Sequence, residues 1–562
     1  MRERSSQALH ARCFLLLPEP QRVTEPMSCL RTFFLWRSAA GLLLAVCCVA
    51  GLCLATGCQS EPPPTASAPA ARPRTTPPAS ARNTPPNRPA PPVKPSVAKP
   101  PRGIEPPANL GLGGSESTQP DTGFGPGRRS PNLGELMDQP GAAPAVAPSK
   151  TPRMAIDQAK TASRGIRKIS GKHLDLYTDL PASPAIDELT TVFDLAVPKW
   201  CAYFDVPAEK AADFRMSGFL MGDANNFRAA GLLPGSLPNF PNGFQQGWEF
   251  WVREQEDDYY RRHLLLHEGT HGFMNLMLGG AGPPWYSEGM AELFGTHRWE
   301  NGQLTMQYNP PDKTETPGWG RVKIIRDETA QQRALSLLDV MRYDSRAHLR
   351  VEPYAWCWAA CYFLEHYPPT RQAFVDLRAQ AADRQGDFTS AFYEKLKPQW
   401  PEIDEQWRIY TQGIEYGYDL ERALIQHQTG PAREAGAQPQ EAVIQADRGW
   451  QSTGIMLASN GRYLIESTGS FQIAREPAWK CEPNGVTIHY YEGQPLGIMM
   501  GAIRMDEAAL AGGPTTLLNS VPLGSSFLLT VQQGGVLYLK INESPASLAD
   551  NAGQIQVRVS VP

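Results

Sequence analysis

Five consecutive residues hold the most reactive combination in this 562-residue chain: His267-Glu268-Gly269-Thr270-His271. On a helix, positions i and i+4 lie about 40° apart in azimuth and about 6 Å apart along the axis, so both imidazoles can reach one ion. The carboxylate beside the first histidine faces the same cleft. There it can take a proton from water whose pKa a bound zinc lowers to about 7. His267 and His271 are therefore the first two candidate zinc ligands, and Glu268 is the candidate general base.

A catalytic zinc needs a third protein ligand and one open position. The run Pro283-Pro284-Trp285-Tyr286-Ser287-Glu288-Gly289-Met290-Ala291-Glu292 reads as a turn followed by a second helix, and Glu288 is the candidate third ligand. Glu292, one turn later on the same face, is placed to accept a hydrogen bond from the free ring nitrogen of a ligand histidine and fix its tautomer. The alternative HExxHxxGxxH arrangement requires Gly at 274 and His at 277. Both positions are Met, which excludes it. His297 is a spare ligand candidate, and reads better as a peripheral histidine.

These residues need elements to hold them. Asp257 to Leu278 reads as one long helix, with Leu264, Leu265 and Leu266 before the second histidine and Phe273, Met274 and Met277 after it giving apolar surface to bury. Upstream, His173 to Thr178 alternates like a strand, 185–203 has helical periodicity, and 214–221 and 248–252 are further strand candidates.

The pairing of HEGTH with WYSEGMAE resembles the gluzincin zinc metallopeptidases. With Tyr177-Thr178-Asp179 upstream it is similar to a group of bacterial gluzincin-like domains, over roughly residues 165–424. The resemblance implies an α+β domain, a small mixed sheet plus a helical active-site region, acting on peptide or protein substrates. It also implies a donor to the developing oxyanion. Tyr354, opening a downstream helix, is the candidate, and a packing tyrosine at a helix start is the competing reading. A non-catalytic binding or adhesion protein built on the same scaffold would carry the same residues, and 310–337 offers no motif that defines a substrate.

Past 426 the pattern changes to short alternating runs with turn residues: 462–465, 486–491, 527–531, 536–540 and 555–559. Short strands at this spacing predict a β-sandwich. The segment Asn542-Glu543-Ser544-Pro545-Ala546-Ser547-Leu548-Ala549-Asp550-Asn551 clusters side-chain oxygens, which suits calcium, although Asn, Asp and Ser also fill ordinary turns. In its context, residues 450–561 resemble the calcium-dependent galactophilic lectins of bacteria, which are all-β jelly-roll sandwiches. The resemblance implies calcium contacts from Glu543, Ser547, Asp550 and Asn551, and a glycan partner. The family's short His/Gln sugar-contact loop has no convincing counterpart near Glu482-Pro483-Asn484-Gly485.

The amino-terminal region reads as an address. Ser38 to Thr56 is almost wholly apolar, follows Arg31 and Arg37, and ends in Leu54-Ala55-Thr56-Gly57-Cys58. It resembles a bacterial lipoprotein signal with Cys58 as the lipidated residue and Met27 as the start. An uncleaved membrane anchor is the other reading. Both place the rest of the chain outside the cytoplasm, at the cell envelope and held to a membrane. Residues 59–163 are rich in Pro, Ala and Ser, and read as a disordered tether. The expected order is signal 1–58, tether 59–163, zinc domain 164–428, linker 429–441 and sandwich 442–562. A net charge of -4 without any dense basic run argues against a nucleic-acid partner. Cys357 and Cys361, one helical turn apart with no CxxC motif or Cys/His cluster around them, read as buried thiols.

Overall fold

The computed structural model describes residues 152–346, 350–383, 386–505 and 515–562. Met27, Cys58 and the proline-rich stretch as far as 151 lie outside the described residues. The described chain is mixed α+β, with several sheets and helices. None of its helices is long and apolar enough to cross a membrane.

The first sheet has the order β1-β2-β3-β5-β4, from Arg167–Ser170, Leu174–Thr178, Met216–Met221, Gly243–Gln246 and Glu249–Arg253 as β1 to β5. Strands β2, β3 and β5 run parallel, and the antiparallel β1 and β4 form its edges. Parallel strands covered on both faces read as nearly unbroken apolar runs. One face (Leu174, Leu176, Met216, Leu220, Phe250, Val252) joins the main core, and the other (Tyr177, Phe219, Met221, Trp251) closes a smaller core with Phe227 and Leu232. Ordered chain is already present ahead of 164. Met154 N–H donates to Glu249 Oε1 at 2.8 Å, and Gln158–Ser163 is helical with Asp157 as its cap.

Helices α1 (Leu189–Phe204) and α2 (Asp258–Phe273) pack on that sheet and on each other, and α3 (Pro284–Gly295) packs on α2. Helix α2 does not run unbroken to 278. It widens into a π turn over Met274–Leu278 and closes at Gly279, whose φ of 87° suits glycine. Pro284 starts α3 at a position where a missing N–H costs nothing. Downstream come α4 (Arg321–Ala330), α5 (Glu352–His366) and α6 (Trp400–Gln412). Gly289 lets α3 approach α5, because a Cβ there would lie 2.6 Å from the Cys357 carbonyl oxygen and collide with Cys361 Sγ. Cys357 and Cys361 are free and buried, as their sequence context suggests.

The carboxy-terminal strands are β6 (Gln440–Gln445), β7 (Gln451–Leu457), β8 (Arg462–Thr468), β9 (Asn484–Tyr491), β10 (Gln494–Arg504), β11 (Ser526–Thr530), β12 (Gly535–Ile541) and β13 (Gln554–Ser560). They form one sheet in the order β9-β10-β12-β7, extended by Arg433–Glu434, and another in the order β11-β8-β13-β6. Part of the stretch expected as a linker, 429–441, is thus paired into sheet. Inward residues of both sheets share one core: Ile455, Leu537, Leu539 and Ile541 from one, and Ile444, Ile465, Ile555 and Val557 from the other. Strands β7, β8 and β13 alternate buried with more exposed positions, as sheets with one covered face do. Strand β12 is buried at nearly every position, because its outer face packs toward the helices through Val536 and Tyr538.

Candidate metal centre

Helix α2 presents His263, His267 and His271 on successive turns, and α3 crosses it carrying Ser287, Glu288 and Glu292. The structure brings His267, His271 and Glu288 into one triangle. The two Nε2 atoms are 3.2 Å apart, and each lies 3.4 Å from Glu288 Oε2. Three donors at zinc–ligand lengths of about 2.0–2.1 Å in a tetrahedral array would stand about 3.3 Å from one another. Glu288 Oε2 is buried and has no hydrogen-bond partner among the described residues. Burial alone would push the Glu288 carboxyl up, but the adjacent His271 and His267 hold it far below the usual carboxylate range. Two imidazoles and a carboxylate aimed at one point, with an acceptor oxygen left over, fit a metal ion of zinc's size.

A second set, His263, His267 and Glu292, also comes within ligand distance. It is fully enclosed, and both Glu292 oxygens already accept hydrogen bonds from Arg321, at 2.9 and 2.8 Å. A guanidinium there occupies the place of a cation. Glu292 instead works on the histidines, with its oxygens 3.4 Å from His267 Nδ1 and 3.5 Å from His263 Nε2. From the sequence, Glu292 is expected to accept a hydrogen bond from a ligand histidine; it lies near His267 Nδ1, which makes no hydrogen bond among the described residues. Arg321 and His263 carried no sequence signal, because their partners are 29 residues apart and on different helices. Ser287 was also missed: its hydroxyl lies 3.1 Å from His271 Nδ1 and so orients the second imidazole. Its position one residue before Glu288, on the same helix turn, was the available clue.

Glu268 is buried beside this triangle. Desolvation raises its pKa, and the nearby His267 and His271 partly oppose that. Edge strand β4 passes close by: a Cβ at Gly243 would collide with Glu268 Oε1, so glycine at this position leaves room for the carboxylate. The Tyr354 ring sits 5.9 Å from that of His267 and 5.7 Å from the Arg321 guanidinium carbon. Burial, with Glu288, Glu268 and Glu292 nearby, holds its phenol far above the ordinary range, so it stays a proton donor. His297 stays out of the centre. It is buried, with Nδ1 2.8 Å from the Gly295 carbonyl oxygen and its ring stacked on Tyr259 at 4.7 Å.

Away from this centre, the loop after β12 holds three buried acceptor atoms with no hydrogen-bond partner among the described residues: Glu543 Oε2, Asp550 Oδ1 and Asn551 Oδ1. Ser547 opens the short turn Leu548–Asp550 between them. Desolvation, reinforced by the charges of Asp550 and Glu415, pushes Glu543 up to about 7. Asn551 spends its amide N–H on the Ala446 carbonyl, 3.1 Å away, which fixes its free oxygen in place.

No protein-family profile matches the chain, and no curated protein matches it. Among solved structures, the N-terminal domain of EclA, described as a PllA-like lectin, is similar at 19% identity. That match covers 22% of this chain and 96% of that one, with a TM-score of 0.17. An IMPa metallopeptidase in complex with T-antigen is similar at 11% identity, covering 70% of this chain and 42% of that one, with a TM-score of 0.14. Neither likeness reaches the level of a shared fold.

Proposed function

We propose that the protein is a zinc-dependent peptidase, with His267, His271 and Glu288 holding the metal. The observation that carries this reading is the near-equilateral triangle of their ligand atoms, with Glu268 alongside. When bound, zinc supplies a Lewis acid that polarises a carbonyl and lowers the pKa of water. Glu268, its pKa raised by burial toward the working range of a general base, accepts the proton from the attacking water and returns it to the leaving amine. The Tyr354 hydroxyl, kept protonated, is the donor available to the developing oxyanion. Strand β4 is an edge strand beside Glu268 and gives an extended peptide backbone a line of hydrogen-bonding groups.

Zinc content and cleavage of a peptide library, measured on the wild type beside His271→Ala and Glu268→Gln, test the reading. One zinc per chain is expected in the wild type and in Glu268→Gln. Turnover should fall by roughly 10²–10⁴-fold in Glu268→Gln, and both metal and activity should be lost in His271→Ala. Zinc without cleavage of any substrate would favour the binding or adhesion reading, and a wild type without zinc would end the peptidase reading.

A second reading concerns the sandwich, where the three unpartnered oxygens of Glu543, Asp550 and Asn551 support a calcium site in a jelly-roll, lectin-like module. Calorimetric titration with calcium, repeated on Asp550→Ala, tests it, and heat that is the same in both would remove the site. Glycan binding and lipid anchoring at Cys58 belong to the same proposal. They make the protein an envelope-tethered peptidase whose sandwich brings glycosylated substrates close. Labelling with a fatty-acid analogue that persists in Cys58→Ala would remove the anchor.

A further inference from the structure

A cavity of about 290 Å³ lies where the outer face of the β12 sheet meets the end of α6, and none of the metal-centre residues lines it. That volume gives room for roughly ten water molecules, or for one ring with a side group. Lys540 projects into this space from β12. It shares a strand face with Val536 and Tyr538, both buried in an apolar cluster with Trp450 and Met500. A lysine here breaks the pattern of its own strand, a kind of violation that functional sites account for more often than packing does.

Its ammonium makes no hydrogen bond or ion pair among the described residues. It lies 5.1 Å from the Trp450 ring centroid, with Glu492 acting on it only through its charge. Burial pulls its pKa below the ordinary lysine value. Arg448 also lines the cavity, but Asp447 holds its Nη1 at 3.2 Å. Glu492 and Glu543 add negative charge to the wall, and Trp450 and Tyr491 supply flat apolar surface. Lys540 is the cation that faces a ligand here, and the two wall carboxylates limit what it can hold, because they repel a dianion twice as strongly as a monoanion. The aromatic walls suit a ring.

We propose that this cavity binds a small, ring-bearing monocarboxylate whose acid group pairs with Lys540. The carboxylate supplies the charge-assisted hydrogen bonds that the half-buried amine lacks among the described residues, and the ring lies against Trp450.

Calorimetric titration of the full chain with benzoate and with D-glucuronate tests this, with benzamide, methyl glucoside and inorganic phosphate as controls. One of the two carboxylates should bind one to one with Kd below about 1 mM. Affinity should fall about tenfold or more in Lys540→Met and be largely kept in Lys540→Arg. Removing zinc should leave binding unchanged, which separates this site from the peptidase reading. The proposal is overturned if neither carboxylate binds, if the neutral analogues or phosphate bind as well, or if Lys540→Met binds like the wild type. A higher melting temperature in Lys540→Met together with no carboxylate binding would show a lysine that packing merely tolerates. Met fits the apolar neighbours of position 540, so the variant is expected to fold.

Discussion

Within the metal centre, single atoms decide whether three helical side chains can serve one ion. Arg321 binds both oxygens of the wholly buried Glu292, and Glu292 faces His267 and His263. Arg321→Met should therefore strand a buried carboxylate and cost about 3–5 kcal/mol. Glu292→Gln in the same chain should recover much of that loss, so denaturant midpoints of the two single variants and the double variant measure the coupling. Additive effects would show that the pair does not act as a unit. Gly243→Ala places a methyl group against Glu268 and should reduce turnover with zinc content unchanged, read by metal analysis beside cleavage rate. Loss of metal in that variant would mean that β4 supports the ligands rather than the base. The grouping of His267, His271 and Glu288 was legible in the sequence because a helix fixes i, i+4 geometry, and the placing of Glu292 near it followed from the same rule. Arg321, His263 and Ser287 were not, because their roles depend on how α2, α3 and α4 cross, which no local spacing encodes.

Among the elements, periodicity found the strands and helices that bury one consistent face and missed those shaped by neighbours. Strand β4 went unseen because Gly243-Phe244-Gln245-Gln246 is too short and polar to carry a clear alternation, and only pairing with β5 makes it a strand. The break of α2 into a π turn at Met274 was equally hidden, since Met277 continues the apolar pattern. The loop after β12 was legible as a cluster of oxygens, but its burial was not, and burial gives it a measurable pH signature. Glu543 titrates near 7 when folded and about 4.3 when unfolded. Its raised pKa means that the folded protein keeps a proton the unfolded chain has already lost. Its contribution is fully present below about pH 4 and is lost as pH rises through about 7, a loss of order 3 kcal/mol. Calcium-free protein should melt progressively lower between pH 5 and 8, and Glu543→Gln should flatten that trend. Calcium should reverse it in the wild type by binding the ionised form. If wild type and Glu543→Gln share one pH profile without calcium, the carboxyl is solvated rather than enclosed.

Over the whole described molecule, the helical part and the two-sheet part are joined by polar contacts as well as by apolar packing. Glu405 on α6 accepts a hydrogen bond from Arg504 Nε at 2.8 Å and another from Thr515 Oγ1 at 2.7 Å. Arg422 pairs with Asp447 at 2.5 Å, and Ser544 in the oxygen-rich loop donates to Glu415 at 2.5 Å. Ile425 shares a cluster with Trp450, Met500 and Tyr538, and Leu548 of the same loop belongs to the main core of the helical part. A seam of this kind ties the candidate calcium loop to the helices and should make the two parts unfold as one cooperative unit. Replacing Glu405 by Leu would leave the nearly buried Arg504 without its carboxylate, at a cost of about 3 kcal/mol concentrated at the seam. Scanning calorimetry should show one transition in the wild type and two in Glu405→Leu, with any bound metal retained because the candidate ligands lie elsewhere. A wild type that already melts in two steps would mean that the seam holds position without coupling stability. In that case calcium would protect only the later strands, whereas in a coupled molecule it should raise the melting temperature of the helical part as well.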